Sequence, residues 1–171
     1  MRTLFVDLKT LTINSNLTVR DSYHNVVYLV TGKWGSTQGQ FNIYSIYGKE
    51  LARICQTTVG LRSCFKISVK GKVITQFKHI LNLNHEFFYL PHLKWFVLGS
   101  LRQVHYRIIT LHQVIMNTQT LKYPSRLQIN ISKEENEPLC LCLIAILNYW
   151  ALTKLYQPFT AFSHQSLMNL D

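Results

Sequence analysis

The chain is poor in negative charge, with eight Asp and Glu among its 171 residues. Three of these acids, Glu134, Glu135 and Glu137, stand together, so the sequence does not suggest the separated pair of carboxylates that a hydrolase would use as acid and base. Glycine and proline are also scarce, at seven and four. The glycines of segment 32–39 fall between predicted strands, and no glycine-rich phosphate loop precedes a predicted helix.

The chain contains only four cysteines, and their positions do not suggest a disulfide framework. Cys55 and Cys64 fall in strand-like segments. Cys140 and Cys142 fall in an apolar segment that reads as a helix, where residues two apart point to nearly opposite sides and make poor joint metal ligands. Four reduced thiols are typical of a reducing compartment. The first residues lack the apolar core of a signal peptide, so we expect a cytoplasmic protein.

Seven histidines are present, yet none stands at metal-ligand spacing with a cysteine or an acid. His85 and His92 are seven residues apart, as are His105 and His112, and each pair straddles a predicted turn. We interpret them as isolated strand or loop residues. The sequence therefore predicts a protein that is not an enzyme, with no catalytic residues, no metal site and no cofactor.

Long apolar runs are absent except for one, which begins just after Pro138. Leu139 to Leu147 are uninterrupted, and with Asn148 tolerated the run reaches Leu152, fourteen residues in all. A bilayer span needs about 20 apolar residues, whereas 10 to 14 favour a buried helix. Acids before the run and a proline at its start are helix-start signals. The sequence predicts a core helix at about 137–155.

Before this helix, from residue 17 to residue 131, the pattern is strand, turn, strand. Lys70-Gly71-Lys72 between two alternating runs is typical of a hairpin. Phe65 and Ile67 alternate with polar neighbours, which indicates one inward face, whereas the inward face of 50–57 stays open between two alternatives. Strands recurring about every ten residues predict a mainly β fold, an antiparallel sandwich or barrel. A barrel closed around the helix gives the helix a dry environment and the strands a core, so we expect that arrangement. We expect one domain over 1–156 and a tail over 157–171.

Five segments make the chain similar to a known family: 26–32, 43–54, 95–99, 106–108 and, most specifically, 127–147. With them the chain resembles the LURP-one-related family of the Tubby C-terminal-like superfamily over Thr3 to Trp150. That resemblance implies a closed barrel of about twelve strands around a hydrophobic C-terminal helix. The chain departs from the family pattern at Asn148, where an Asp is usual, and at the turn 123–125.

Positive charge is concentrated in the strand region, where residues 1–132 hold sixteen Lys and Arg against four acids. A basic body favours an anionic partner such as lipid headgroups or nucleic acid. An alternative interpretation is a solvated outer face that serves solubility. The candidate headgroup-binding residues, most of them on one predicted hairpin, are Arg53, Arg62, Lys66, Lys70, Lys72 and Lys78.

Tubby-like domains bind phosphoinositides and the related scramblases act on phospholipids, so the resemblance implies peripheral binding of anionic phospholipid at a membrane surface. A second hypothesis is a scaffold or regulatory module that binds a protein partner through the apolar tail around Phe162 to Leu170. Nucleic-acid binding ranks below both, because no recognised RNA- or DNA-binding motif is present. Trp34 and Trp95 are aromatic candidates for a lipid interface, although the strand context of Trp95 favours the core.

Overall fold

The computed structural model describes residues 1–7, 16–33, 39–58, 64–78, 86–100, 103–123 and 125–156. Within these ranges the chain forms twelve strands, a short 3-10 helix (Glu134–Asn136) and one α-helix, α1 (Glu137–Tyr156). The strands are β1 (Arg2–Asp7), β2 (Leu17–Asp21), β3 (Val26–Lys33), β4 (Gln40–Ser45), β5 (Glu50–Thr58), β6 (Cys64–Val69), β7 (Lys72–Lys78), β8 (Glu86–Leu90), β9 (Trp95–Ser100), β10 (His105–Ile109), β11 (Val114–Leu121) and β12 (Arg126–Ile131).

All twelve strands belong to one antiparallel sheet in the order β7-β6-β5-β4-β3-β2-β1-β12-β11-β10-β9-β8. Consecutive strands pair from β1 to β7 and from β8 to β12, and β1 also pairs with β12, which joins the two ends of the strand region. The outer strands β7 and β8 approach each other, but no ladder pair joins them in the residues the structure describes. The sheet is therefore a nearly closed barrel with one seam.

The interior of this barrel is filled by α1. Every residue from Leu139 to Asn148 is buried, as expected for a helix that is apolar on all sides. Strand residues alternate around the helix: Phe65 and Ile67 of β6 point inward and are buried. The inward face of β5, which the pattern left open, carries Ala52 and Ile54. The prediction of a barrel around a core helix is confirmed.

Aromatic side chains span the seam from the inside. The rings of Phe77 on β7 and Phe88 on β8 stack with their centroids 5.7 Å apart. Trp150 of α1 packs edge-on against Phe88 at 5.5 Å and against Phe65 at 5.3 Å. Packing of side chains thus joins β7 to β8 where backbone pairing does not.

Close packing also explains the glycine at position 99. A Cβ there would lie 2.7 Å from a ring carbon of Tyr106, which is fully buried. The Tyr106 ring is tied to the helix because its hydroxyl donates a hydrogen bond to Asn148 Oδ1 at 3.2 Å. The asparagine that interrupts the apolar run is therefore a polar contact between α1 and β10.

Successive turns of an antiparallel meander alternate between the two ends of the barrel. The turns after β2, β4, β6, β8 and β10 therefore share one end. β12 runs toward that end and leads into α1, and Arg2 at the start of β1 pairs with Ile131 there. We call this end the helix-start rim. The turn between β11 and β12 lies at the opposite end.

Candidate functional site

Three of the predicted headgroup-binding residues lie together on the β6–β7 hairpin. Lys66 is half-buried on the outer face of β6, opposite Cys55 of β5. Lys70 and Lys72 are exposed on either side of Gly71 in the turn, at the helix-start rim. The Lys70 amide donates to the Leu51 carbonyl at 2.9 Å, which fixes this turn beside the start of β5.

Arg53 lies on the outer face of β5, and its charge is already matched. Its guanidinium donates to Glu50 Oε2 at 2.6 Å. This hydrogen bond raises the pKa of Arg53 above its ordinary value, with the Glu50 charge acting in the same direction. An anionic ligand would have to compete with Glu50, so Arg53 contributes less to anion binding than the prediction assumed.

The other two predicted residues do not join this group. Arg62 lies outside the described residues. The backbone of Lys78 pairs with Cys64 at the far end of β7 from Lys72. The structure therefore places the start and the end of β7, and the two lysines there, at opposite ends of the barrel.

A lysine that the sequence analysis did not single out belongs to the same rim. Lys49 is exposed in the β4–β5 turn, which is closed by a hydrogen bond from the Gly48 amide to the Ser45 carbonyl at 3.0 Å. We define Lys49, Lys70 and Lys72 as the lysine cluster. The available signal was the Gly-Lys pair at both turns, since alternate hairpin turns return to the same end of a meander.

Nearby acids do not neutralise the lysine cluster. Asp21 accepts hydrogen bonds from the backbone amides of Tyr23 and Asn25, both at 2.9 Å. Glu50 is paired with Arg53. Across the described parts of the chain, no ion pair reaches Lys49, Lys70 or Lys72.

The cysteine, tryptophan and histidine candidates add no group to this site. Burial raises the pKa of the Cys55 thiol, although Arg53 and Lys66 oppose that shift. Trp95 is only 6% exposed and belongs to the core, whereas Trp34 and His85 lie outside the described residues. In the ranges that the structure covers, no three His, Cys, Asp or Glu side chains are grouped so that they could hold a metal ion.

The described residues form a twelve-stranded antiparallel barrel around one apolar C-terminal helix, with lysines on the barrel's rim. The protein is therefore of the class in which a β-barrel encloses a central helix. A family model described as LURP-one-related matches residues 2–148. The chain belongs to the LURP-one-related family, and its barrel is consistent with the Tubby-like superfamily link. No curated protein and no solved structure matches the chain significantly. Among the residues described, no helix combines the length and the apolarity needed to cross a membrane.

Proposed function

We propose that this protein is a non-enzymatic module that binds anionic phospholipid headgroups peripherally, at the cytoplasmic surface of a membrane. The observation that carries the proposal is the lysine cluster: three exposed ammonium groups on two neighbouring turns, with no ion-pair partner among the described acids. Lys66 adds a fourth base further along the same hairpin. The four cysteines are free thiols, which supports a reducing compartment.

The magnitude expected from such a cluster is modest. Each base near an anionic leaflet contributes about 1 kcal/mol, and the attraction falls off within the Debye length. Three lysines together therefore correspond to roughly a hundredfold gain in affinity for an anionic over a neutral surface. The binding should be reversible and sensitive to salt.

Co-sedimentation with phosphatidylcholine vesicles, with and without phosphatidylserine, across a salt series tests this proposal. We expect binding only to the anionic vesicles, weakening as salt rises, because screened charges supply the attraction. The double variant Lys70→Glu/Lys72→Glu should bind the anionic vesicles far more weakly while its thermal unfolding stays unchanged, since both side chains are exposed.

The matched control is Lys122→Glu, an exposed lysine in the β11–β12 turn at the opposite end of the barrel. It makes a charge change of the same sign and should reduce binding far less per residue. Equal binding to neutral and anionic vesicles would refute the proposal. Equal loss in the control and the rim variant would show that only net charge matters.

A protein-interaction module is the second candidate, and the outer face of β8 and β9 favours it. Phe87 is 57% exposed and stacks on Phe96 with centroids 6.1 Å apart, and Tyr89 lies against the same ring at 4.8 Å. Exposed aromatics of this kind are enriched in protein interfaces. A pull-down from lysate that compares the parent chain with Phe87→Ser would test whether this aromatic face binds a protein. The tail over 157–171 lies outside the described residues, and its deletion is the parallel test of a partner that binds there.

A further inference from the structure

Exposed apolar side chains lie at the helix-start rim, beside the lysine cluster. Tyr23 in the β2–β3 turn is 85% exposed, and Tyr47 in the β4–β5 turn is 90% exposed beside Ile46 at 50%. Val73, 49% exposed, follows Lys72 on β7. Single exposed apolar residues are ordinary on protein surfaces. Here they occupy two turns and the start of β7 at one end of the barrel, close to the lysines of the cluster.

We propose that the protein meets an anionic bilayer with its helix-start rim and inserts the tips of the β2–β3 and β4–β5 turns into the interfacial layer. This inference rests on the proposed lipid binding and adds the orientation of the protein and the kind of surface that it recognises. Tyr47 and Ile46 enter the interface, and the lysine cluster lies at the level of the headgroups.

The turns hold these tips away from the barrel. In the β2–β3 turn the Asp21 carboxylate accepts the amides of Tyr23 and Asn25, and the His24 amide donates to the Asp21 carbonyl at 3.1 Å. In the β4–β5 turn the Lys49 amide donates to Ser45 Oγ at 3.3 Å. Because the turn backbones are already bonded, little ordering is left for the moment of contact, and pre-organised loops bind at lower entropic cost.

The mixture of side chains suits a bilayer better than a soluble anion. Tyrosine favours the membrane interface, where its ring is in an apolar layer and its hydroxyl is hydrated. Lysine places its stem along apolar surface and its ammonium among headgroups. Lys49 stands two residues from Tyr47, so one turn supplies both components. A free phosphate or a soluble headgroup would use only the lysines and leave the apolar tips in water.

The acids of the helix-start rim are only partly offset by neighbouring bases. Glu134 pairs at 3.4 Å with Arg2, which also pairs with Glu137, and Glu135 pairs with Lys133 at 3.6 Å. Glu50 is paired with Arg53, whereas Asp21 keeps its negative charge, since hydrogen bonds from amides do not neutralise a carboxylate. On the side of the rim between the β2–β3 and β6–β7 turns, the three lysines of the cluster outnumber this one uncompensated acid, so positive charge prevails there.

The first experiment measures affinity for vesicles of phosphatidylcholine with about a third phosphatidylserine. Ile46→Ser/Tyr47→Ser should weaken binding roughly tenfold at every salt concentration, because apolar burial is lost and the charge is kept. The slope of affinity against salt should stay unchanged, whereas Lys70→Glu/Lys72→Glu should reduce that slope. Tyr123→Ser is the matched control: Tyr123 is 95% exposed in a turn at the opposite end.

The second experiment measures depth. Tryptophan fluorescence of Tyr47→Trp and of Tyr123→Trp is measured on vesicles that contain brominated lipid. Because the parent chain already contains tryptophans, its quenching is subtracted from that of each variant to give the quenching of the added indole. We expect quenching at position 47 and none at position 123. Soluble phosphoserine should compete only weakly with the vesicles for the protein, because it has no apolar layer in which the side chains of Ile46 and Tyr47 could be buried.

Three outcomes are distinguishable. Loss of affinity in the Ile46/Tyr47 variant with quenching at position 47 supports the orientation. Anionic binding that survives both serine changes, or quenching at position 123 in place of 47, overturns the orientation and leaves the proposed lipid binding intact. No binding of the parent chain to anionic vesicles overturns both.

Discussion

Glu137 is a carboxylate with no solvent exposure, placed where α1 enters the barrel. Its Oε2 accepts a hydrogen bond from the Tyr28 hydroxyl at 2.5 Å and pairs with Arg2 Nη1 at 3.1 Å. One side chain thus ties the helix to β3 and β1. Burial raises the pKa of Glu137, and the contacts with Tyr28 and Arg2 offset only part of that shift. The same contact and burial raise the pKa of Tyr28.

This pKa shift predicts a specific dependence of stability on pH. Because the folded-state pKa of Glu137 is raised, its contribution is full below the unfolded-state pKa and is lost as pH rises through the folded-state value. Glu137→Gln cannot ionise and keeps the shape of the protonated acid. The variant should therefore gain stability relative to the parent as pH rises above about 4, by up to about 1.4 kcal/mol per pH unit within that window.

Urea unfolding of both chains between pH 4 and pH 8 measures this difference. The opposite trend, with the parent gaining on the variant as pH rises, would mean that the Arg2 ion pair outweighs burial. Glu137→Ala is the control for packing, because it removes the hydrogen bonds at every pH and should destabilise throughout.

At the scale of elements, the barrel has one weak boundary, between β7 and β8. Its closure relies on ring contacts that converge on Trp150 of α1. A helix that is apolar on every side has little preference for its rotation within the barrel, so Glu137 near its start and Asn148 further along it supply the polar contacts that set that rotation.

Trp150→Ala should therefore lower the free energy of unfolding by about 3–5 kcal/mol, the usual cost of removing a buried aromatic ring. The effect should also be local. Amide hydrogen exchange measured by mass spectrometry should accelerate more in β7 and β8 than in β1 and β12, because the latter pair keeps its full ladder. Trp150→Phe, which keeps an aromatic ring, should restore most of the protection. Uniform acceleration across the sheet would contradict a seam held by side chains.

At the scale of the whole molecule, strands and helix depend on each other. The inward residues of the strands are buried only because α1 occupies the interior, and α1 finds an apolar environment only inside the barrel. Among the residues that the structure describes, neither part has another surface on which to bury its apolar side chains.

A chain that ends at Asn136 should consequently fail to fold cooperatively. Without α1 we expect binding of a hydrophobic dye, loss of near-ultraviolet circular dichroism and no sharp urea transition. The matched chain ending at Tyr156 keeps every described element and should unfold as a single transition, in line with the predicted domain over 1–156. Cooperative folding of the shorter chain would contradict the plug role of the helix.

Much of the architecture could be predicted from local sequence patterns. Alternation and Gly-containing turns indicated the hairpins, and the length of the apolar run indicated a buried helix. β1 escaped the strand pattern because Phe5, an apolar residue, lies on its outer face between inward Leu4 and Val6, which hides the alternation. The inward face of β5 was ambiguous for a similar reason, since apolar Leu51 is out of phase with inward Ala52 and Ile54, at a register shift in the pairing with β4.

The candidate site, like the fold, was predicted only in part from the sequence. Lys66, Lys70 and Lys72 could be grouped from sequence because one hairpin holds them. Lys49 and Tyr47 were not added, although the Gly-Lys pair at both turns was a signal for Lys49, because using that signal requires the strands to pair in sequence order. The pairing of Arg53 with Glu50 could not be predicted either, because residues three apart on a regular strand point to opposite faces. A register shift between β4 and β5, between these two residues, brings them to the same side.

Charge balance, hydrophobic periodicity and run length can be read locally, and they were enough to predict a basic, strand-rich chain with one helix that must be buried. The pairing of β1 with β12 and the seam between β7 and β8 became visible only in the fold, as did the rim that Lys49, Lys70 and Lys72 share with Tyr23 and Tyr47. These are contacts between residues far apart in the chain, which are set by closure of the sheet around the helix and by no local pattern.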